Sequence, residues 1–403
     1  MSAWITVIGI GEDGLEGLNA ARMAEIKAAE VLFGGDRHHG KVENSTAECL
    51  DWGNGFRNAL VEIEKRRGKN IVVLASGDPM NYGVGSVLAR TFGESAVIIH
   101  PAPGAFSLAA ARMGWSIPDV ECLTVHGRPL ETLNRYMLPG ARLLALTQGG
   151  ETPDEAAKLL TDKGYGASRI SVLEHLGGAK ENRLDGEAAT WNHGETAHLN
   201  TLAIECIAGP GAVLLSRAPG LPDEVFENDG QLTKREVRAA TLAQLQPLSG
   251  QVLWDIGAGS GSIAIEWLRL GGHRRAIAIE KNAERVQAIK RNATNLGTPE
   301  LIVIEGDFTA IKDDLDDTPD AIFVGGGASD LGLLKSAWNA LNPGGRFVIN
   351  AVSVEAGQTL LAFRAEFGGD LSRISVERAA PIGSLSAFKP LMTVTQFALR
   401  KSS

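Results

Sequence analysis

The sequence predicts an α/β protein in two domains, the first divided into two α/β lobes and the second built on an open, mostly parallel sheet of seven strands. Three observations carry this. Short apolar runs that end in glycine turns alternate with runs at helical spacing along the whole chain. At 403 residues the chain is too long for one hydrophobic core. A proline- and glycine-rich break, "AGPGAVLLSRAPGLPDEVFENDG", spans Ala208 to Gly230. The expected domains are 1–210 and 222–403, with a linker over 211–221 and lobes of about 1–115 and 116–210.

The first lobe is expected to hold the strands "WITVIGIG", "EVLFGG", "NIVVLASGDP" and "AVIIHPAPG". The second follows with "LTVHGR", "RLLALTQGG", "RISVLEHLGG" and "NTLAIECIAG". In the second domain the candidates are "QVLWDIG", "RAIAIE", "LIVIEGD", "AIFVGG", "RFVINAV", "RISVERA" and "TVTQFALR". "NAERVQAIKRNATNLG" places Val286, Ile289, Ala293 and Leu296 at helical spacing, with Gly297 as a stop. Only a short loop, "PIGSLSAFKPLM", separates the last two candidates, which predicts an antiparallel pair and a reversed final strand.

Composition narrows the function classes. A net charge of −9 argues against a nucleic-acid partner, though a basic cleft for an anionic small molecule remains compatible with it. Cys49, Cys122 and Cys206 are far apart and form no C-x-x-C pair, so neither a disulfide framework nor a cysteine zinc site is expected. No apolar run reaches the roughly 18–20 residues of a membrane span, and the N-terminus reads as a strand, not a signal peptide. A cytoplasmic protein with no membrane partner follows. The sequon at Asn292 is taken as accidental, and the mostly apolar helix "LLAFRAEF" predicts a homo-oligomer.

The stretch "WDIGAGSGSIAIEW" reads as strand, glycine turn and helix. Gly257, Gly259 and Gly261 are spaced G-x-G-x-G, one residue shorter than the dinucleotide fingerprint. Asp255 precedes the turn, where a carboxylate suits an α-ammonium group. Glu280 ends the next strand, where its two oxygens suit both ribose hydroxyls. Asp307 ends a third strand, within reach of an adenine edge. Together these favour S-adenosylmethionine over NAD, in a Rossmann-like methyltransferase fold.

Near the N-terminus "GIGEDG" sets Gly9, Gly11 and Gly14 in a formal G-x-G-x-x-G, with Glu30 about 20 residues on. The acid that binds a ribose should end the second strand, whereas Glu30 begins it. The preferred reading is a turn beside a different pocket, with NAD as the rival. "ASGDPMNYGVG" follows the apolar strand "NIVVLA", so Gly77, Asp78 and Pro79 fall at a carboxyl end, where open α/β sheets bind ligands. A helix-capping turn is the plainer alternative.

The first half resembles the tetrapyrrole methylase family through "VIGIGEDG", "SGDPMNYG", "HPAPGAFSLAAARMG" and "EHLGGAKENRLDG", in the family's order. "GGDRHH" resembles the branch that methylates C5 of a corrin precursor. "LTKREVRA", "WDIGAGSGSIAIEW", "GGG" and "NPGGRFVINAV" in the second half resemble that branch's partner methylase. The resemblance implies S-adenosylmethionine sites in both halves and a precorrin substrate of cobalamin biosynthesis. It also implies C5 methylation by the first domain, and C15 methylation with loss of the C12 acetate carboxylate by the second. By this resemblance Ser76, Gly77, Asp78, Ser107 and Gln148 serve the first donor site. Thr233, Gly257, Ala258, Gly259, Ser260, Gly261, Glu280 and Phe308 serve the second. The family often has proline after the second glycine of its first motif, where this chain has Glu12.

A methyl sulfonium is already electrophilic, so the protein must chiefly align donor and acceptor and exclude water. No metal is expected; the eight histidines show no ligand spacing, and the His38–His39 pair reads as a surface turn. A polycarboxylate acceptor calls for arginine and lysine. "TKREVRA" offers Lys234, Arg235 and Arg238 as substrate contacts, against the alternative of a solvated helix face. The rival functions are an RNA methyltransferase with a fused ligand-binding lobe, a tetrapyrrole sensor that regulates the second half, and an NAD-dependent oxidoreductase.

Overall fold

The computed structural model describes residues 3–42, 45–53 and 55–402. The chain forms two compact units, one of Met1–Leu130 with Leu138–Val213, the other of Glu131–Met137 with Leu214–Ser403.

The first unit contains two five-stranded sheets. The first sheet has strands β1 (Ile5–Ile10), β2 (Val31–Phe33), β3 (Glu48–Leu50), β4 (Ile71–Ser76) and β5 (Val97–His100), in the order β3-β2-β4-β1-β5. All neighbours are parallel, and Ile10 of β1 lies opposite Ser76 of β4. Side chains alternate between two buried faces, which is why these strands read as unbroken apolar runs. Ile5, Val7, Phe33, Ile71 and Val73 pack with Ala59, Ile63 and Leu88 on one face. Ile8, Ile10, Leu32, Val72 and Leu74 pack with Ile26 on the other.

The second sheet has β6 (Glu121–Thr124), β7 (Arg142–Leu146), β8 (Arg169–Glu174), β9 (Asn182–Glu187) and β10 (Asn200–Glu205), in the order β6-β7-β10-β8-β9. It is mixed, with β6–β7 parallel and the other pairs antiparallel. The helix Ala105–Met113 packs Phe106, Ala109 and Ala110 against Leu144, Leu173 and Ala203 of this sheet.

In the second unit β11 (Val252–Ile256), β12 (Arg275–Glu280), β13 (Ile302–Glu305), β14 (Ala321–Val324), β15 (Arg346–Ala351), β16 (Asp370–Ile374) and β19 (Val394–Arg400) form one sheet. Its order is β13-β12-β11-β14-β15-β19-β16. The first five strands are parallel, and β19 runs antiparallel to β15 and β16. This is the expected seven-stranded sheet with a reversed last strand. The segment between β16 and β19 is not a plain loop. It folds as a separate hairpin of β17 (Glu377–Ile382) and β18 (Leu385–Pro390), paired only with each other. "RISVERA" is thus not one strand, because Ser375 and Val376 break it between β16 and β17.

Unit 2 includes Glu131–Met137, whose Arg135 is buried with Nε on the Gly297 carbonyl at 2.9 Å and a further contact to Glu300. Asn292, at 2% exposure, donates to the Glu227 and Ser260 carbonyls, so the sequon is closed to glycosylation. The helix Val354–Phe367 turns Leu360 and Phe363 into the core, where Phe363 meets Trp338, Phe347, Phe367 and Phe397. Leu360 and Phe363 of "LLAFRAEF" thus pack within the unit, while Leu361 is 56% exposed. Replacing Phe363 with alanine is expected to cost about 3–5 kcal/mol of unfolding free energy, read by denaturant titration.

Candidate functional site

Two loop systems stand at the carboxyl ends of parallel strands, one in each unit.

In the first unit β1 and β4 finish side by side. The Gly77 amide donates to the Ile10 carbonyl at 2.9 Å, and the Ala102 amide donates to the Gly77 carbonyl at 3.2 Å. A Cβ on Gly9 would lie 2.0 Å from that Gly77 carbonyl oxygen, so only glycine fits at this crossing. Gly9 is therefore needed to bring the "SGDP" loop against β1, not to cradle a dinucleotide. Glu30 confirms the point: its Oε2 accepts from the Asn70 amide at the start of β4, the opposite end of the sheet.

Gly77 adopts φ +57° and lies against Pro103 and Gly104, one turn before Ser107 in the helix Ala105–Met113. Asp78 Oδ1 accepts from the Met80 amide at 2.9 Å, closing the turn. Ser76 is exposed; its Oγ lies 2.9 Å from Arg37 Nη2 and 3.1 Å from His38 Nε2. Gln148 lies on the other sheet's loop, where its Oε1 accepts from the Gly127 amide at 2.7 Å.

The adjacent histidines differ. His39 is fixed to the Gly34 and Leu50 carbonyls through Nε2, a structural role. His38 faces Ser76 and has its pKa pushed down to about 4, by burial first and then by the charges of Arg37, Lys41 and His39 against Glu12.

In the second unit Asp255 sits at the end of β11 and is 1% exposed. Its Oδ2 accepts from the Ala264 amide at 3.1 Å, while Oδ1 has no partner. Burial, aided by the charge of Glu280, pushes its pKa up to about 7 against the Ala264 hydrogen bond. Since the folded-state pKa is raised, the protonated carboxyl favours the fold. That stability is full below the ordinary carboxylate range and is lost as pH rises through about 7.

Gly257, at φ +68°, leads the turn, and a Cβ there would meet Gly326 at 2.6 Å. Glu280 receives the Gly259 amide at 2.9 Å and the Asn282 amide at 3.0 Å, leaving lone pairs on both oxygens. Ala258 donates its amide to the Ile279 carbonyl at 3.1 Å, and the Ser260 hydroxyl is buried without a partner. Gly261 packs against Ile289. A Cβ on Gly259 would lie 3.2 Å from the Gln231 carbonyl, so the segment leading to Thr233 runs along this loop.

Asp307 is exposed and caps the short helix Phe308–Ile311 through the Thr309 amide at 2.9 Å. Phe308 is buried, its ring edge-on to Trp254 at 5.9 Å, so its side chain belongs to the core.

These residues fit a cationic ligand with ribose and adenine parts. An unpartnered buried carboxylate oxygen, Asp255 Oδ1, and an unpartnered buried hydroxyl, Ser260 Oγ, belong to this glycine turn. Among the described residues no cluster of three or more His, Cys, Asp or Glu side chains could hold a metal ion.

Comparison with known proteins shows the family. The model for tetrapyrrole (corrin/porphyrin) methylases matches residues 5–191, and that for the precorrin methyltransferase domain matches residues 224–401. A precorrin-6Y C(5,15)-methyltransferase [decarboxylating] from a Sinorhizobium species is 47% identical over 402 residues, covering 100% of this chain and 97% of the relative. The chain belongs to the precorrin-6Y C(5,15)-methyltransferase (decarboxylating) family. A probable cobalt-precorrin-6B C(15)-methyltransferase (decarboxylating) from Saccharolobus solfataricus is 34% identical over 155 residues, covering 37% of this chain and 78% of the relative. The solved C-terminal domain of precorrin-6Y C5,15-methyltransferase from Rhodobacter capsulatus shares 39% identity over 46% of this chain and 100% of that chain, at a TM-score of 0.44.

One expectation fails outright. Arg238 does not face a substrate. It is fully buried, with Nε on Glu266 Oε1 at 2.5 Å and Nη1 on Asp223 at 3.3 Å and on the Thr233 carbonyl at 2.6 Å. Its Nη2 donates to the Leu221 carbonyl. The guanidinium is spent on protein partners, which the spacing "TKREVRA" alone does not reveal. Lys234 is the N-cap of the helix Arg235–Leu245 and is half-buried, while Arg235 is exposed. Arg238→Ala should cost about 3–5 kcal/mol, because it strands the Glu266 carboxylate in the core. Thermal and urea unfolding of the full chain read this loss; a variant as stable as the parent would refute it.

Proposed function

We propose that this chain methylates precorrin-6Y twice with S-adenosylmethionine and releases one molecule of CO2, with a donor site in each unit. The first unit methylates C5. The second methylates C15 and removes the carboxylate of the C12 acetate. The observation that carries this reading is the glycine turn at Asp255, with its unpartnered buried carboxylate oxygen, in a chain whose family match runs end to end. The similarity of 37% of the chain to a relative named for C15 methylation and decarboxylation supports two separable activities. The acidic chain, with no helix among the described residues long and apolar enough to cross a membrane, supports a cytoplasmic enzyme acting on a small molecule without nucleic acid.

S-adenosylmethionine supplies an electrophilic methyl group. The protein's part is to hold it. In the second unit Asp255 would balance the donor's ammonium group, and Glu280 would take the ribose hydroxyls through its remaining lone pairs. Thr233, Gly257, Ala258, Gly259, Ser260 and Gly261 would line the donor, and Asp307 with the Phe308 backbone would meet its adenine. In the first unit Ser76, Gly77 and Asp78 would carry the donor loop, with Ser107 nearby and Gln148 across from it. Fixed polar groups at closed loop ends keep water from the methyl group and shorten the search for an in-line approach.

Three outcomes are expected. Full-length chain supplied with precorrin-6Y and S-adenosylmethionine should yield a product with two added methyl groups and one CO2 lost, weighed by mass spectrometry. The Gly259→Asp variant should add one methyl and keep its CO2; undiminished decarboxylation in that variant would sink the division of labour. Donor affinity at the second site should also depend on pH, because a cation binds the ionised form of Asp255. Between about pH 6 and about pH 8 it should rise roughly tenfold. Calorimetric titration of the full chain, less the signal left in Gly259→Asp, measures this. A pH-independent affinity would remove Asp255 from the ammonium site.

A further inference from the structure

Glu12, Arg37, His38, Lys41, Ser76 and His175 gather at the carboxyl edge of the first sheet. Glu12 stands between cations: its Oε1 is 3.4 Å from Arg37 Nη1 and 3.5 Å from Lys41 Nζ. Lys41 Nζ also donates to the Gly11 carbonyl at 3.0 Å, and His175 Nδ1 lies 3.6 Å from Glu12 Oε2. Burial disfavours the Glu12 carboxylate, yet Arg37 and Lys41 hold its pKa below the ordinary value, so it is ionised. Two cations, Arg37 and Lys41, therefore share the one carboxylate of Glu12.

The hydrogen bonds fix a proton. The Gly35 amide points at His38 Nδ1 at 3.3 Å, so Nδ1 is the acceptor and Nε2 carries the hydrogen. His38 is neutral at working pH, since its pKa lies at about 4. Nε2 then donates to Ser76 Oγ, as does Arg37 Nη2. A hydroxyl oxygen has two lone pairs. Both are taken, so the Ser76 O–H can only donate, away from Arg37 and His38. Arg37 keeps unspent N–H groups on a side chain that is 44% exposed.

We propose that Ser76, Arg37 and Lys41 form a seat for one carboxylate of the tetrapyrrole acceptor in the first unit. The seat deepens the C5 reading and rests on it. Ser76 offers its hydroxyl hydrogen, Arg37 its free N–H groups and Lys41 its charge, while His38 is a positioning residue that fixes the direction of the Ser76 hydroxyl. Electrostatics choose the acceptor over the methyl donor. The donor carries a sulfonium and an ammonium against one carboxylate, so a cationic cluster repels it as a whole. A polycarboxylate acceptor is attracted. Glu12 has a place in the seat too: its carboxylate holds both Arg37, which reaches Ser76, and Lys41.

The test uses the full chain carrying Gly259→Asp, so that any methyl gained comes from the first unit. Adding Arg37→Gln should raise the KM for precorrin-6Y about tenfold or more. kcat should hold within about twofold, as for a contact equal in ground and transition states. S-adenosylmethionine affinity should likewise stay within about twofold. Arg37→Lys should recover part of the loss, and Ser76→Ala should raise KM less than Arg37→Gln. Added salt should raise KM in the parent more steeply than in Arg37→Gln. An unchanged KM in Arg37→Gln overturns the seat, as does a loss of donor affinity in its place. If the Gly259→Asp parent gains no methyl while the unmodified chain gains two, the C5 reading of the first unit falls and the seat falls with it.

Discussion

In the second unit the geometry of the glycine turn hangs on one buried ion pair, Arg238 with Glu266. Glu266 lies in the helix Ser262–Arg269, which leaves the turn, and Arg238 lies in the helix Arg235–Leu245, which follows Thr233. Removing two charges from water costs several kcal/mol for each, and the pair is tolerable because both groups gain further hydrogen bonds. Glu266 also receives the Gly220 amide at 2.7 Å and the Leu221 amide at 2.9 Å. Arg238 also holds the Leu221 and Thr233 carbonyls. An apolar pair could fill the same space, but it could not fix two amides and two carbonyls. Asp223 extends the network by binding both Arg238 and Arg378, and Arg378 ties the β17–β18 hairpin to Glu236. The positions of Thr233, the turn and the hairpin thus share one electrostatic anchor.

Much of this fold was legible because burial writes itself into sequence. β1, β4, β11, β12 and β14 are covered on both faces, so each is an apolar run, and all but β12 lead straight into a glycine. The carboxylates that end strands were legible for the same reason, since their place follows once the strand is found. What escaped is what burial does not mark. β3 is three residues long and largely exposed at a sheet edge. β9 is an edge strand of mostly polar residues, "NRLDGE". The β17–β18 hairpin packs no face into a core, and Leu385 and Phe388 are more than 70% exposed. Arg238 shows the limit for charged residues. A basic run before a helix looks the same whether an arginine points to solvent or to a buried glutamate 28 residues away.

The two carboxyl-edge sites are built with opposite charge. In the second unit the groups nearest the turn are Asp255 and Glu280, and burial, with the Glu280 charge adding to it, pushes the Asp255 pKa up to about 7. A cation placed there would relieve both. In the first unit Arg37 and Lys41 stand at Glu12, beside a loop that carries the Asp78 carboxylate. The acids suit the positive methyl donor and the cations suit a polyanionic acceptor. The sequence alone directed the search for acceptor-binding arginines to "TKREVRA". There Arg238 is buried while Arg235 is exposed, and in the first unit Arg37 of "GGDRHH" is half in solvent.

Glycine spacing is a poor guide to which ligand a loop serves, and the two units show why. A glycine records that something lies where a Cβ would be, and that something need not be a ligand. At Gly9 it is the Gly77 carbonyl, 2.0 Å from the missing Cβ. At Gly257 it is the Gly326 backbone, together with a left-handed φ that a side chain would strain. Both patterns are thus explained by protein touching protein. The distinction between a dinucleotide, a methyl donor and a plain turn lies in the acids around them. Glu30 sits at the wrong end of its sheet, bonded to Asn70, whereas Glu280 ends its strand on the Gly259 amide of the turn itself. The strand end at which a carboxylate emerges, not the count of glycines before it, separates a site for a ribose from a tight crossing of two loops.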